Sequence, residues 1–374
     1  MKYRALSEVS TITMGQSPDS SSYNERKEGL PFFQGNADFG EIHPQVRVWC
    51  AEPKKTAQKD DILISVRAPI GALNIADRQC CIGRGLASVR VNESLCDRKF
   101  LWYALKSKVE ELISKGTGST FKAIGKNVLM SIAIPDIELK DQSTISNKLD
   151  IITILINRSK KQLENLDELV KSRFVEMFGD ISYSNKFQYK KVQEFTGVVS
   201  GGTPNRDNND YWENGKIPWV KTTELKHAVI EKTEEYITDK GLAESSAKIV
   251  PENTIVIAMY GQGKTRGMTG LLKIKASTNQ ACACVLPSDN VNHIYLWKFF
   301  ELSYDNLRDL AKGGNQPNLN GNMIKNYPVL FPPRSLQNQF ADFVTKVEKQ
   351  KTTVQKSIDK LETLKKSLMQ KFFG

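Results

Sequence analysis

The chain has 374 residues, 40% of them hydrophobic, and its 53 Lys and Arg outweigh 42 Asp and Glu to give a formal charge of +11. That length suits two or three domains and that apolar content suits ordinary cores, so wholesale disorder is excluded. No stretch approaches the roughly 18 continuous apolar residues of a membrane span, and MKYRALSEV at the start lacks a signal-peptide run, so a cytoplasmic protein is expected.

In chain order, MGQSPDS at 14–20 and GLPFF at 29–33 precede short β-rich runs over Asp61–Val66 and Ala87–Val91. A helix is predicted over Asp97–Ser114. The same order then returns: SGGTPNR at 200–206 and KIPWV at 216–220, β-rich runs over Thr254–Met259 and Ala281–Leu286, and a helix over Tyr295–Leu310. PDIELKDQ at 135–142 answers PPRSLQNQ at 332–339, and ENLDELVKSRFVEMFG at 164–179 answers DKLETLKKSLMQKFFG at 359–374 with six identities in sixteen positions. Collinear matches of this kind mark an internal duplication, each copy carrying a compact α+β domain.

Each half ends in a segment free of Gly and Pro, Glu138–Phe178 and Arg334–Phe373. Ile145, Leu149, Ile152, Ile156, Ser159, Leu163, Leu166 and Val170 follow a 4-3 spacing, as do Phe340, Val344, Val347, Lys351, Val354, Ile358, Leu361, Lys365 and Leu368. These are coiled-coil seams with polar breaks, on helices of roughly 60 Å at 1.5 Å per residue. A small domain cannot cover such a stripe, so mutual antiparallel pairing is expected. The predicted organisation is a domain over 1–137, a long helix over 138–179, a second domain over 180–333 and a second helix over 334–374.

Catalytic readings fare poorly. Cys50, Cys80, Cys81, Cys96, Cys282 and Cys284 form no CxxC pair and only three histidines exist, so no zinc site or nucleophilic triad can be nominated; buried reduced thiols are expected. AMYGQGKT at 258–265 loosely fits a phosphate loop, but a β-like LLKIKA follows where a helix should begin, so a Gly-rich loop between strands is the better reading. The Pro-Pro pair in Phe331-Pro332-Pro333-Arg334 lacks the amide and the aromatic of an amino-methylation motif.

Nucleic-acid contact is the remaining candidate. No segment is a basic tail, so a DNA surface has to be assembled by folding from polar loops at equivalent points of the two halves. In the first half these loops carry Gln16, Ser17, Asp19, Gln34, Asn36, Arg67, Lys122 and Lys126. In the second they carry Thr203, Asn205, Arg206, Lys221, Thr222, Thr223, Tyr260, Gln262, Lys264, Thr265, Arg266, Lys312, Asn315 and Gln316. Arg, Lys, Asn and Gln suit base edges and phosphates, although a solvated loop is the alternative for any one of them.

With the duplication and the paired long helices in view, the chain resembles a specificity subunit of a type I restriction–modification system along essentially its whole length. The residues carrying the likeness are Lys312-Gly-Gly-Asn-Gln-Pro-Asn-Leu, the run to Phe331-Pro-Pro-Arg-Ser-Leu-Gln-Asn-Gln339, and the terminal Leu-Glu-Thr-Leu-Lys-Lys-Ser, repeated more loosely as Gly116-Thr-Gly-Ser-Thr-Phe and Ile134-Pro-Asp-Ile-Glu-Leu-Lys-Asp-Gln142. The resemblance implies two target-recognition domains reading the halves of a split double-stranded DNA sequence, in pseudo-two-fold arrangement, with the helices setting the gap. It implies two adenine-methylating modification subunits and restriction (motor-nuclease) subunits as partners. S-adenosylmethionine and ATP then belong to those partners, and this chain carries no cofactor and no catalysis. The alternative is a duplicated coiled-coil adaptor that binds proteins only.

Overall fold

The computed structural model of the chain describes residues 2–118, 122–261, 263–311 and 318–374. It divides into two compact units, Met1–Lys160 with Lys356–Gly374, and Lys161–Gln355.

In the first unit, Tyr3–Ala5 pairs antiparallel with Ala133–Pro135. An antiparallel sheet runs in the order Ser10–Met14, Leu86–Val91, Ile62–Ser65, Leu73–Ile75. A second sheet has Leu30–Phe33 between Val48–Cys50, antiparallel, and Cys80–Ile82, parallel. All four residues of the strand Ile62–Ser65 are buried, because both its faces are covered. Ile62 and Ile64 enter a core shared with the helices, whereas Leu63 points to a cluster with Phe33, Ala57 and Leu86.

The second unit repeats this plan. Tyr189–Lys191 pairs with Pro328–Leu330. The sheet order is Val198–Ser200, Cys282–Val285, Ile255–Ala258, Thr269–Leu272, extended by Ala228–Ile230 in parallel. Ile217–Val220 lies antiparallel to Glu235–Ile237 and parallel to Ser277–Thr278. Again alternate residues divide, with Ile255 and Ile257 in the helix-side core and Val256 and Ala258 in the other.

The two single helices expected over 97–114 and 295–310 are each broken in two: Arg98–Ser107 then Val109–Ser114, and His293–Leu302 then Tyr304–Asp309. At Lys108 and Ser303 the backbone leaves helical geometry, with ψ of 6° and 11°. The break re-aims the second piece so that Leu112 and Leu307 are fully buried, which amphipathic spacing alone does not disclose.

The long helices run Leu139–Phe178 and Arg334–Phe373, 40 residues each. Within the first unit Ile145 and Leu149 share a core with Phe373, Lys365 Nζ donates to Thr153 Oγ1 at 2.7 Å, and Lys160 pairs with Glu362 at 2.9 Å. Within the second, Phe174 meets Phe340 edge-on at 5.5 Å, and Lys351 pairs with Asp167 at 2.6 Å. In each unit ascending positions of one helix meet descending positions of the other, so the segments are antiparallel. Of the seam, Ile145, Leu149, Ile152, Ile156, Leu166, Val344, Val347 and Ile358 are buried, and Leu163, Val354, Leu361 and Leu368 are half-buried. The two lysines that interrupt the second seam thus have partners, Asp167 for Lys351 and a neutral hydroxyl for Lys365. Burial, with the charges of Lys106 and Lys160, pulls the Lys365 ammonium below its usual pKa.

All six cysteines are free and buried. Burial pushes the thiols of Cys80, Cys81 and Cys96 up to about 12 and that of Cys284 to about 11, which makes them inert packing groups.

Candidate nucleic-acid interface

Each unit gathers its polar loops around one four-residue turn. In the first unit Leu86 N–H donates to Gly83 O at 3.0 Å, and Gly83 N–H donates to Phe33 O at 2.8 Å. The loop leaving Ser10–Met14 is tied to the same turn, Gly15 N–H to Leu86 O at 2.9 Å and Gln16 N–H to Ile82 O at 3.0 Å. In the second unit the corresponding bonds are Cys282 to Asn279 at 3.1 Å, Asn279 to Val220 at 3.0 Å, Gly201 to Cys282 at 3.2 Å and Gly202 to Thr278 at 2.8 Å. A Cβ on Gly15 would lie 2.2 Å from Gly83 O, and one on Gly201 2.2 Å from Asn279 O. Only glycine allows the loop to approach this closely, which is why both halves carry it.

In the first unit this convergence brings Gln34, Asn36 and Arg67 to one open cavity of about 590 Å³, together with Tyr23, Arg47 and Arg84. Tyr23 stacks on Phe32 with ring centroids 4.8 Å apart. Arg47 pairs with Asp38, whose other oxygen accepts the Gln34 amide proton at 2.7 Å, so the loop holding Gln34 and Asn36 is braced from within. Ser17 Oγ accepts the Arg84 N–H at 3.2 Å. Asp19 caps its own turn; the Ser21 N–H at 3.0 Å and the Ser21 hydroxyl at 2.7 Å hold its carboxyl below the usual range. Gln16, Lys122 and Lys126 are exposed and line no part of the cavity, but Arg67 bridges to Ala123, which keeps Lys122 nearby in the chain.

In the second unit Arg206 and Lys221 are answered locally. The guanidinium of Arg206 lies over Trp212 and Trp219, 3.8 and 4.7 Å from the ring centroids, and pairs with Glu235. Lys221 Nζ reaches Glu235 at 2.7 Å and Glu234 at 3.0 Å, which raises the pKa of its ammonium. Burial alone would raise the Glu235 carboxyl, but the hydrogen bonds from Lys221 and Arg206 bring it below its ordinary value. Thr203 Oγ1 donates to Gln280 Oε1. Asn205 folds into its own turn, accepting from Asp207 N–H at 3.1 Å. Thr222 and Thr223 open a short 3-10 turn, with Thr223 exposed.

Tyr260, Lys264, Thr265 and Arg266 stand on the loop joining the antiparallel strands Ile255–Ala258 and Thr269–Leu272. Tyr304 OH donates to Lys264 O at 2.6 Å and Arg308 Nη1 to Arg266 O at 2.9 Å, so the loop is fixed by its backbone while the Lys264 side chain stays exposed. A strand, Thr269–Leu272, follows this Gly-rich loop, as expected. Gln262, Lys312, Asn315 and Gln316, and with them Ser119–Phe121 of the first-half motif, lie outside the described residues. Sequence reading missed Arg84 and Gln280, the second residues of the two turns. Their flanks, CIGRGL and TNQAC, share no identity, so only backbone hydrogen bonds align them.

Among the described residues no group of three or more His, Cys, Asp or Glu is placed to hold a metal ion. Nor, among the described residues, is any helix long and apolar enough to cross a membrane.

Comparison with known proteins gives a consistent family. The family described as the type I restriction modification DNA specificity domain matches twice, over residues 1–166 and 184–363. A putative type I restriction enzyme MjaX specificity subunit of Methanocaldococcus jannaschii is 46% identical over 163 residues, 43% of this chain and 38% of the relative. That match therefore spans well under half of the relative's length. The MjaIX specificity subunit of the same organism is 24% identical over 337 residues, 84% of this chain and 77% of the relative. Among solved structures, the type I restriction–modification S subunit from M. genitalium aligns over 100% of this chain and 96% of its own, at 16% identity and a TM-score of 0.65. At that identity the likeness is one of fold.

Proposed function

The chain belongs to the type I restriction–modification DNA specificity family, and from that premise we propose that it reads a bipartite double-stranded DNA target, one half-site per unit. The observation that carries this reading is the repeated turn. Two units share backbone hydrogen bonds around it, yet present different side chains at matching positions: Gln34, Asn36, Arg67 and Arg84 in one, and Lys221, Thr223, Tyr260 and Gln280 in the other. A constant scaffold with exchanged polar side chains is what two unlike half-sites require.

In this reading residues 1–137 and 180–333 are the recognition domains and 138–179 and 334–374 the spacer, an antiparallel coiled coil related by a pseudo-two-fold axis. A 40-residue helix of about 60 Å bounds the separation at roughly 18 base pairs. Two modification subunits would dock on the helices and methylate adenine, and restriction subunits would join for cleavage. S-adenosylmethionine and ATP would be bound by those partners, and this chain would act without catalysis of its own, in the cytoplasm. Exposed Gln16, Lys122, Lys126 and Lys264 suit phosphate contacts, which position the duplex without specifying sequence.

The test is to map methylated adenines in cells with and without this chain, and to measure duplex binding by the complex with modification subunits against salt. A bipartite methylated motif that vanishes with the chain, and affinity that falls steeply with salt, are expected. Unchanged methylation together with salt-insensitive or absent DNA binding would favour the protein-only adaptor.

A further inference from the structure

Arg84 and Gln280 occupy the same place in the two units. Each is the second residue of a turn closed from its fourth residue to its first, Leu86 to Gly83 and Cys282 to Asn279. The third residue of each accepts from the strand beside it, Gly85 O from Val66 N–H at 2.9 Å and Ala281 O from Met259 N–H at 2.8 Å. Both side chains are exposed, and a hydroxyl from the preceding loop reaches this residue in each unit, Ser17 accepting the backbone N–H of Arg84 and Thr203 donating to the side chain of Gln280.

The chemistry at this shared place differs. Arg84 carries a planar fork of donors with no acceptor and, among the described residues, no carboxylate partner. Gln280 carries one acceptor and two donors, and Thr203 donates to its Oε1, fixing which way the amide faces while leaving the second lone pair and both Nε2 hydrogens available. In the major groove guanine offers two acceptors, O6 and N7, whereas adenine offers one donor and one acceptor, N6 and N7. The surroundings agree. Arg84 shares its cavity with Arg67, whereas near Gln280 the cations Arg206 and Lys221 are neutralised by Glu234 and Glu235.

Resting on the DNA-reading function above, we propose that this turn position is a specificity residue in each unit: Arg84 recognises guanine in the half-site of the first unit, and Gln280 recognises adenine, other than the methylated one, in that of the second. The position is interchangeable, so the residue there sets the base.

The experiment uses the full chain with its modification subunits. Methylated sites are mapped for the wild type, Arg84→Gln and Gln280→Arg. Arg84→Gln should convert one required guanine to adenine in one half-site only, and Gln280→Arg one adenine to guanine in the other half-site only. Independently of how the variants fold, wild-type complex should bind a duplex carrying 7-deazaguanine at the first position, or 7-deazaadenine at the second, roughly tenfold or more weakly, because N7 is one of the two contacts. An unchanged motif in active variants, a first half-site with no G·C pair, or deaza substitutions without effect would overturn the assignment. If the wild-type complex itself methylated no bipartite motif and bound no DNA, the wider reading would fail instead, a distinct result.

Discussion

Gln142 accepts the backbone N–H of Asp97 at 2.8 Å, and Gln337 accepts that of Asn292 at the same distance. Asp97 and Asn292 are the N-caps of the helices Arg98–Ser107 and His293–Leu302. Each glutamine also donates back to the entry of its own long helix, Gln142 Nε2 to Ile137 O at 2.6 Å and Gln337 Nε2 to Pro332 O at 2.8 Å. One buried amide thus joins the cap of a short helix to a long helix, twice, by the same bonds. Replacing either by leucine keeps the volume but leaves that N–H and that carbonyl without their protein partner, at a cost of about 1–2 kcal/mol. Thermal denaturation of Gln142→Leu and Gln337→Leu should show this loss, and a melting temperature equal to that of the wild type would refute the tie.

His227 supplies a pH prediction. Its ring is half-buried, bonded to Thr269 Oγ1 at 3.0 Å and set edge-on to Tyr304 at 5.4 Å. Burial, with the charge of Lys298 adding and that of Asp167 opposing, lowers its pKa from 6.5 to about 4. The unfolded chain therefore binds a proton that the folded chain refuses, so the contribution of His227 to stability is present above pH 6.5 and is lost as pH falls towards 4. His227→Asn suits the backbone, whose φ of 54° is left-handed, and removes the titration. Denaturant unfolding between pH 6.5 and 4 should give a shallower slope for the variant than for the wild type; identical slopes would count against the buried neutral imidazole.

Lys264 and Arg206 should behave differently, although both were nominated from the sequence. Lys264 is exposed and its side chain has no partner among the described residues, so Lys264→Ala should weaken duplex binding evenly across sequences and reduce the salt slope by about one. Arg206 lies on two tryptophans and pairs with Glu235, so Arg206→Ala should lower thermal stability as well as binding. Equal melting temperatures for Arg206→Ala and the wild type would mean that this packing contributes nothing.

The contrast marks what the sequence discloses. The long helices were legible because 40-residue runs without Gly or Pro carry their own period, and the duplication because Gly15, Gly201 and the terminal helix segments recur in the same order, at offsets of 186 and 195 residues. The neutralisation of Arg206 was not, since Glu235 lies 29 residues away and joins it only through sheet pairing. Nor were Arg84 and Gln280, whose equivalence is written in backbone hydrogen bonds and not in side-chain identity. The breaks at Lys108 and Ser303 escaped for a similar reason: helical periodicity continues through them, and only the core beneath decides where the axis turns.

The last prediction concerns a fragment. In the first unit Phe373 packs on Phe100 with ring centroids 4.9 Å apart, and in the second Phe178 packs on Tyr295 at 5.2 Å. The sequence repeat matches Phe178 with Phe373 and Val170 with Lys365. Residues 1–179 alone lack the segment that supplies Phe373, Leu368 and Met369 to the first core, leaving Phe100, Ile145 and Leu149 uncovered. A second copy can fill the place, its Phe178 entering the Phe100 socket and its Val170 facing Thr153 where Lys365 now sits. Each aliphatic side chain so buried contributes roughly 1.5–3 kcal/mol before ordering costs, and no lysine needs to be desolvated. The fragment should therefore form a symmetric antiparallel dimer, as closed two-fold oligomers do. With modification subunits it should direct methylation to an inverted repeat of the first half-site. Phe178→Ala should dissociate the dimer while leaving the domain folded, because in the fragment that ring has no other core to enter. Sedimentation showing a monomer at tens of micromolar, or methylation still at the original asymmetric target, would defeat the prediction.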